Sequence, residues 1–398
     1  MPSIILANKD VVFNFFLKRF NKKIGIYYLL LFVFVAAFFY FFVDNLSTAI
    51  KISILGFIFL QFLTTLADTF LIKRNQLNLY LTANFFYSIL FLAIHLYFYF
   101  YAFNLQILIF CLSVLLAAKS LLLFFVKKSN TVDYITISHE IFFENWLYLG
   151  LNEVVGVIAR WLDKIYVIFL ISAANFAIFV NGTIEIPLFA VLISTVETFM
   201  LTKLSHNIAD KKTAALIFKE GFKLLSYISF PIFFMLLIVY KEAFSVIFNT
   251  KYNESVPIFL ISIFIIPVRI NHYTVILQFY NNTNKILAGS VMDILLALLL
   301  MTLLYPAFGV AGVALSIVVS TYLQVFYYLW HSAKLINLRI IDLVPFTFLA
   351  KLFFGLGILY FCFFFLKYYF SQIQFLMLVF ALTATIIGFA LKKLPFYK

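Results

Sequence analysis

The sequence predicts an all-α protein, a polytopic bundle of transmembrane helices, and three observations lead to this fold class. First, 65% of the 398 residues are hydrophobic and 11% are charged, with a mean hydropathy of +1.08. A soluble domain of this size needs far more charged surface. Second, the apolar residues form runs long enough to cross about 30 Å of hydrocarbon. Third, the basic residues cluster in the short segments between those runs, as they do in membrane proteins of fixed orientation.

Roughly twelve runs reach the length of about 20 residues that a transmembrane helix needs. In chain order they are 24–43, 48–72, 78–101, 105–126, 144–171, 176–202, 222–240, 255–280, 286–305, 308–331, 344–366 and 372–391. The connections between them are short, so we expect no inserted soluble domain.

The Lys and Arg residues indicate the orientation. With the N-terminus inside, twenty of them fall in inner segments and four fall in outer segments, namely Lys51, Lys241, Lys251 and Lys367. Positive charge stays on the cytoplasmic side, so both termini are predicted to be cytoplasmic. The net charge of +13 therefore reflects topology, and no nucleic-acid partner is expected. The basic segment 1–23 leads into a long apolar run without a cleavage site, so we expect no removed signal peptide.

Several classes of chemistry are not expected. Cys111 and Cys362 lie within apolar runs and are typical of packing residues, and the five His residues are scattered, so no metal site is predicted. The sequence contains neither a phosphate-binding glycine loop nor a Gly-x-Ser-x-Gly motif. The longest outer loop, 241–254, offers few catalytic groups. We therefore expect no cofactor and no enzymatic activity.

The pattern of runs repeats along the chain. Segments 48–126 and 255–331 share one layout, in which a long run, a polar turn and two further runs follow one another. We infer an N-terminal lobe of four spans, 1–135, a C-terminal lobe of six spans, 136–335, and a C-terminal helix pair, 336–398. The first lobe then lacks two helices that the second has. The alternative is that any two sets of hydrophobic helices look alike at this level.

A series of motifs within 144–331 carries a family resemblance. In order they are Trp161-Leu162-Asp163-Lys164-Ile165, Ala174-Asn175-Phe176-Ala177-Ile178-Phe179, Glu185-Ile186-Pro187, Phe230-Pro231, Phe248-Asn249-Thr250-Lys251-Tyr252, Ile266-Pro267-Val268-Arg269 and Gly309-Val310-Ala311-Gly312-Val313-Ala314. Their order and spacing resemble the polysaccharide-biosynthesis flippases, including O-antigen exporters, of the multidrug/oligosaccharidyl-lipid/polysaccharide superfamily. That family has two six-helix lobes around a central cavity, so a four-span first lobe departs from its pattern.

The resemblance implies a transporter of the bacterial inner membrane that flips an undecaprenyl-diphosphate-linked oligosaccharide by alternating access. The implied partners are this lipid-linked sugar, the membrane lipids and the polysaccharide polymerase machinery. Three alternatives stay open: a drug or cation antiporter of the same superfamily, a membrane-embedded polysaccharide polymerase or ligase, and a non-transporting interaction protein that keeps the fold. Basic residues within the spans favour an anionic substrate over a cationic one.

Span 144–171 carries the densest set of intramembrane charges. Glu153, Arg160 and Lys164 fall on one helical stripe, and Asp163 lies one position to the side. A charge at the centre of a membrane helix costs about 2.5–3.5 kcal/mol, so we expect the stripe to face a hydrated cavity. Arg160 and Lys164 are then candidates for substrate binding, and Glu153 and Asp163 for ion coupling. The alternative is an intrahelical ion pair of Arg160 with Asp163 or Glu153.

Two more candidates follow Pro267 in span 255–280. Arg269 has the planar guanidinium that suits a diphosphate, and His272 can change charge near neutral pH. Both are predicted to bind substrate. The alternative is a hydrogen-bonded cluster with a purely structural role.

Span 176–202 contributes two acidic residues. Glu185 lies two residues before Pro187, and a proline in a membrane helix frees a carbonyl. Glu185 is therefore a third candidate for ion coupling, or equally a counter-charge for a residue such as Arg160. Glu197 is nearer the cytoplasmic end of the span and is predicted to be interfacial.

Overall fold

The computed structural model describes residues 33, 37, 47–73, 76–101, 104–121, 139–184, 187–206, 211–248 and 250–393. Within those ranges it contains thirteen α-helices and no strand, which confirms the all-α fold class. Six of the helices are long and apolar enough to cross a membrane, so the chain is a multi-pass membrane protein. It divides into two compact units, Met1–Ser138 and His139–Lys398. The predicted span 24–43 lies outside the described residues, apart from positions 33 and 37.

The first unit is described over three continuous helices. They are α1 (Thr48–Lys73), α2 (Leu77–Phe100) and α3 (Leu105–Ser120). Each begins within a residue of a predicted span, because a helix satisfies its own backbone hydrogen bonds and an apolar run of this length has no better structure in lipid.

A polar cluster ties these three helices together. The ammonium of Lys119 on α3 lies 2.7 Å from a carboxylate oxygen of Asp68 on α1 and 2.8 Å from the amide oxygen of Asn84 on α2. It also stands 4.9 Å from the centre of the Tyr87 ring. A charge inside an apolar bundle needs such partners, so pairing explains why Asp68 and Lys119 occur within membrane spans.

Over its described residues, the second unit contains ten helices, four of them with ten residues or fewer. In chain order they are α4 (His139–Ile168), α5 (Ala173–Gly182), α6 (Pro187–His206), α7 (Lys211–Phe248), α8 (Val256–Ile263), α9 (Val275–Phe279), α10 (Thr283–Ile336), α11 (Ile340–Leu343), α12 (Phe346–Phe365) and α13 (Gln372–Lys393).

The segment α10 is a hairpin of two helices. Gly309 interrupts it with φ +57° and ψ −141°, a backbone conformation that glycine adopts most readily. The arms 283–308 and 310–336 then run antiparallel, and the Tyr328 hydroxyl on the second arm donates to the Ile286 carbonyl on the first at 2.9 Å. The glycine turn and the two spans predicted on either side of it are therefore confirmed.

Helix α4 runs parallel to the first arm of α10. The Thr283 hydroxyl donates to the amide oxygen of Asn145 at 2.6 Å, and the Ser290 hydroxyl donates to that of Asn152 at 2.7 Å. The two contacts are seven residues apart on both helices, so they advance in the same direction along each. Farther along, both helices contribute to a buried apolar cluster. These contacts fix the position of the charged stripe of α4.

Helix α7 supports the C-terminal pair, α12 and α13, which both pack against it. It has 38 residues, and the non-helical backbone of Val239 (φ −117°, ψ 18°) divides it into two helical stretches joined by a kink. The rings of Phe234 on α7 and Phe353 on α12 lie 4.8 Å apart between their centres. Glu242, near the end of α7, forms an ion pair with Lys367, just after α12. The pair therefore joins two segments that were both predicted to lie on the outer side.

Candidate functional site

The segment predicted as span 176–202 is two helices, which corrects that prediction. Helix α5 ends at Gly182, and α6 begins at Pro187. Proline suits the first turn of a helix but disfavours helical backbone before it, so Pro187 begins a helix and does not kink one. A Cβ atom on Gly182 would lie 2.7 Å from the Cβ atom of Ile258, which shows how closely α5 ends against α8. We call this interruption the first break.

The segment predicted as span 255–280 is also interrupted, over 264–274, and we call this the second break. Between α8 and α9 there is only one 3-10 turn, Ile266–Val268. Pro267 lies in that turn and lacks a backbone donor. Irregular backbone at membrane depth persists only where protein groups or a hydrated cavity satisfy its polar atoms. The second break must therefore have partners.

Three hydroxyl groups are these partners, because each donates a hydrogen bond to a carbonyl in the second break. Tyr322 donates to the Phe264 carbonyl at 3.0 Å, Tyr273 to the Val268 carbonyl at 2.7 Å, and Ser229 to the Arg269 carbonyl at 2.8 Å. Ser229 belongs to α7 and Tyr322 to α10, so neighbouring helices hold the break in place.

Both breaks line one cavity of about 110 Å³, the first cavity. The first break contributes Thr183 and Ile184, and the second contributes Ile265, Ile266 and Arg269. The other polar or charged side chains that line it are Arg160, Asp163, Lys164 and Ser262.

A second, more open cavity of about 490 Å³ adjoins the first. Arg160, Ala190 and Arg269 line both of them. The remaining lining residues of the second cavity are Asn152, Glu153, Gly156, Ile193, Ser194, Glu197 and His272. Six of the seven site residues predicted from the sequence therefore surround two adjoining cavities: Glu153, Arg160, Asp163, Lys164, Arg269 and His272. The seventh, Glu185, lies outside the described residues.

Arg160 and Arg269 are the unpaired cations of this site. Neither guanidinium forms an ion pair or a hydrogen bond with any residue in the described part of the chain. The carboxylate of Asp293 on α10 is near enough to interact electrostatically with Arg269. Both arginines stand where the two cavities meet, so an anion in either cavity would be within their reach.

Lys164 is neutralised by its neighbour in sequence. Its ammonium lies 3.1 Å from each carboxylate oxygen of Asp163, which is buried. The intrahelical pair of Arg160 with Asp163 or Glu153, the alternative from the sequence, is not formed. The partner of Asp163 is thus the adjacent lysine, and Arg160 is left unpaired.

Glu197, which was predicted to be interfacial, lines the second cavity. Its side chain is 17% exposed, and one carboxylate oxygen lies 3.0 Å from Nε2 of His272. The other oxygen accepts a hydrogen bond from the Gln278 amide at 2.8 Å. The other imidazole nitrogen, Nδ1, lies 3.1 Å from the Thr274 hydroxyl. Glu197 therefore belongs to the site and joins α6 to the second break and to α9.

A helical pattern from Pro187 onward would have indicated this position for Glu197. Ala190, Ile193, Ser194 and Glu197 are spaced at i, i+3, i+4 and i+7, the spacing of one helix face, and all four line the second cavity. The same spacing holds in the predicted span 176–202, so the sequence already carried this signal.

Comparisons with known proteins show a likeness in structure and none in sequence. No protein-family model and no curated protein matches the sequence. The chain is similar to a solved structure titled "Lipid II flippase MurJ, inward closed conformation", with a TM-score of 0.52 and 16% sequence identity. The alignment covers 98% of this chain and 90% of that one. At this identity the likeness establishes a shared fold.

Proposed function

We propose that this protein is a flippase for a lipid-linked saccharide, and that Arg160 and Arg269 hold the diphosphate between lipid and sugar. One observation carries the proposal: two arginines without an ion-pair partner in the described ranges stand where two cavities and two helix breaks meet. A charge at the centre of a membrane helix costs about 2.5–3.5 kcal/mol, so an arginine within a predicted span needs hydration or an anionic ligand. The guanidinium fork binds phosphate oxygens in pairs.

The family resemblance and the shared flippase fold support the class of substrate. They favour an undecaprenyl-diphosphate-linked oligosaccharide, used in cell-surface polysaccharide synthesis together with a polymerase. The proposed location is the bacterial inner membrane. The distribution of Lys and Arg places both termini in the cytoplasm in this scheme.

In the proposed mechanism the diphosphate and sugar enter the hydrated cavities while the lipid chain stays in the bilayer. Discontinuous helices near the middle of the membrane are a common basis for such sites, and the two lobes rock around them to alternate access. Lys164 and His272 would assist the two arginines. Glu153, Asp163 and Glu185 are the proposed ion-coupling residues, although Lys164 already neutralises Asp163.

The test is flipping of a fluorescent diphosphate-linked lipid saccharide by purified protein in liposomes. Arg160→Gln and Arg269→Gln each remove a charged donor, which is worth about 1.5–3 kcal/mol, so flipping at limiting substrate should fall about 10- to 100-fold. Arg269→Lys keeps the charge but loses the fork and should give an intermediate rate. Arg269→Glu should abolish flipping, and it should not complement a strain that lacks its flippase.

Arg339→Gln is the matched control. Arg339 is exposed just before α11 and donates a hydrogen bond of 2.9 Å to Asp342, which lowers the pKa of that carboxyl. It lies outside both cavities, so flipping should be unchanged. Normal flipping by Arg269→Glu would refute the diphosphate role. Proton- or sodium-driven uptake of a hydrophobic cation, with no flipping by the unsubstituted protein, would favour the antiporter.

A further inference from the structure

Glu197, His272, Thr274 and Gln278 form a closed hydrogen-bonded group, the Glu197 cluster, on one wall of the second cavity. Both carboxylate oxygens of Glu197 and both ring nitrogens of His272 have a partner within the cluster. Three separate elements supply it: α6, the second break and α9. A change in charge here would therefore act on the backbone that also carries Arg269.

Among the described residues, few other charges surround the cluster. Glu153 and Arg160 face the same cavity from α4, and Arg269 faces it from the second break. Asp293 on α10 interacts with Arg269, and Lys203, farther along α6, is paired with Glu220 on α7 at 2.6 Å. Close to the second break, α7 presents Gly221, which lies against Asn271 and Met200. The phenol of Tyr273 is bound to a backbone carbonyl.

The polar groups of the cluster are arranged to bind a proton and not a metal cation. Hard cations such as Ca²⁺ and Mg²⁺ take about six oxygen ligands. Here the two carboxylate oxygens already face nitrogen groups of His272 and Gln278, which would repel a cation. The remaining oxygen of the Gln278 amide is buried and has no partner. Rotation of that amide would let its oxygen accept a hydrogen bond from a protonated Glu197, so the cluster can be satisfied in more than one protonation state.

We infer that Glu197 and His272 bind one proton when a diphosphate enters the second cavity, and this inference rests on the proposed function. Without the proton, imidazole is neutral and the carboxylate of Glu197 repels the incoming diphosphate. With the proton, taken from solvent and held between Nε2 and the carboxylate, the pair is neutral and the repulsion is removed. Substrate binding and proton uptake are therefore coupled.

The test measures the Kd of a short-chain diphosphate diester, farnesyl-diphospho-N-acetylglucosamine, between pH 5.5 and pH 9. Both phosphates of a diester keep a constant charge over this range, so only the protein titrates. The unsubstituted protein should bind up to about tenfold more weakly per pH unit once the pH exceeds the range where the pair is protonated, because one proton is linked to binding.

Two variants separate a proton site from a structural contact. Glu197→Gln removes the repelling charge, so its Kd should be independent of pH and several-fold tighter than that of the unsubstituted protein at pH 9. His272→Gln leaves the charge of Glu197 without a proton acceptor, so its binding should be weak at every pH. A merely structural pair would weaken binding in both variants. Glu220→Gln, at the ion pair with Lys203 outside both cavities, is the matched control and should keep the normal pH profile.

The outcomes distinguish this inference from the proposed function. Tight binding with no pH dependence in the unsubstituted protein would overturn the proton site and leave the diphosphate site intact. An unchanged pH profile in Glu197→Gln or His272→Gln would do the same. If replacing sodium by choline abolished diphosphate binding only in proteins that retain Glu197, the cluster would bind a sodium ion instead of a proton. No binding at any pH would refute the proposed function, and the proton site with it.

Discussion

Replacing Gly312 by alanine is expected to destabilise the protein, although alanine is the better helix former. Gly312 lies three residues after the turn of the α10 hairpin, where the second arm passes the end of the first. A Cβ atom on it would lie 2.5 Å from the carbonyl oxygen of Leu304 and 2.7 Å from the carbonyl carbon. These are backbone atoms, so no side-chain rotation can relieve the contact.

The magnitude follows from two opposing effects. Alanine gains about 1 kcal/mol over glycine in a helix. Overpacking a well-packed interior costs about 1–3 kcal/mol, and the upper end applies here because the hairpin arms themselves must separate. The net loss in the free energy of unfolding is then about 2 kcal/mol. For a unit of this size that corresponds to a Tm lower by roughly 4–8 °C.

The assay is thermal unfolding of the purified protein in detergent, with Gly355→Ala as the control. Gly355 lies on α12, and a Cβ atom there would meet no other atom within 4 Å, so alanine should raise the Tm by roughly 2–4 °C. The two identical substitutions are thus expected to act in opposite directions. If Gly312→Ala were neutral or stabilising, the close approach of the two arms would be wrong.

Two other predictions concern the second break and the second cavity. Ser229→Ala leaves the carbonyl of Arg269 without its hydroxyl partner, so the free energy of unfolding should fall by about 1–3 kcal/mol, as measured by denaturation in detergent. Ser226→Ala, which removes only a bond within α7, should cost less, and an equal cost would contradict the role of Ser229. Gly156→Phe adds a large side chain at a position that lines the second cavity, where a Cβ atom meets nothing within 4 Å. This variant should flip the substrate at least tenfold more slowly, with an unchanged Tm. Gly150→Phe, on the same helix but outside both cavities, should flip it at the normal rate. Equal flipping by the two variants would exclude the second cavity from the substrate's path.

The continuous helices and the glycine turn could be predicted because both depend on local physics. A long apolar run satisfies its backbone most simply as a helix, and hydropathy alone therefore locates α1, α2, α12 and α13. The turn at Gly309 follows from the conformational freedom of one residue. In each case the determining residues are neighbours in sequence.

The helix breaks could not be predicted in the same way, because their partners are remote. The run Phe264-Ile265-Ile266-Pro267-Val268 is as apolar as a continuous span. Its carbonyls are satisfied by Ser229 and Tyr322, which lie tens of residues away on α7 and α10. Averaging hydropathy along the chain carries no information about such contacts.

The charges of the site were predicted better than their pairing. Helical spacing placed Glu153, Arg160 and Lys164 on one stripe, but burial decides which charge is neutralised. Asp163 is 5% exposed, and an ionised carboxylate so deep needs an immediate partner. Lys164 meets that need through its flexible chain and leaves Arg160 free. Sequence spacing alone had offered Arg160 as a partner of Asp163 or Glu153 only as the alternative to a stripe facing a cavity.

The coincidence of breaks and free arginines argues that the site is functional. Interrupting a membrane helix gives up backbone hydrogen bonds, and an unpaired arginine at this depth costs a further few kcal/mol. A continuous apolar helix in either place would be more stable. Stability therefore cannot explain why the first and second breaks both lie beside Arg160 and Arg269. The anionic ligand that we propose would explain it, because it would bind the two guanidinium groups, and the breaks would leave it a polar space within a helical bundle.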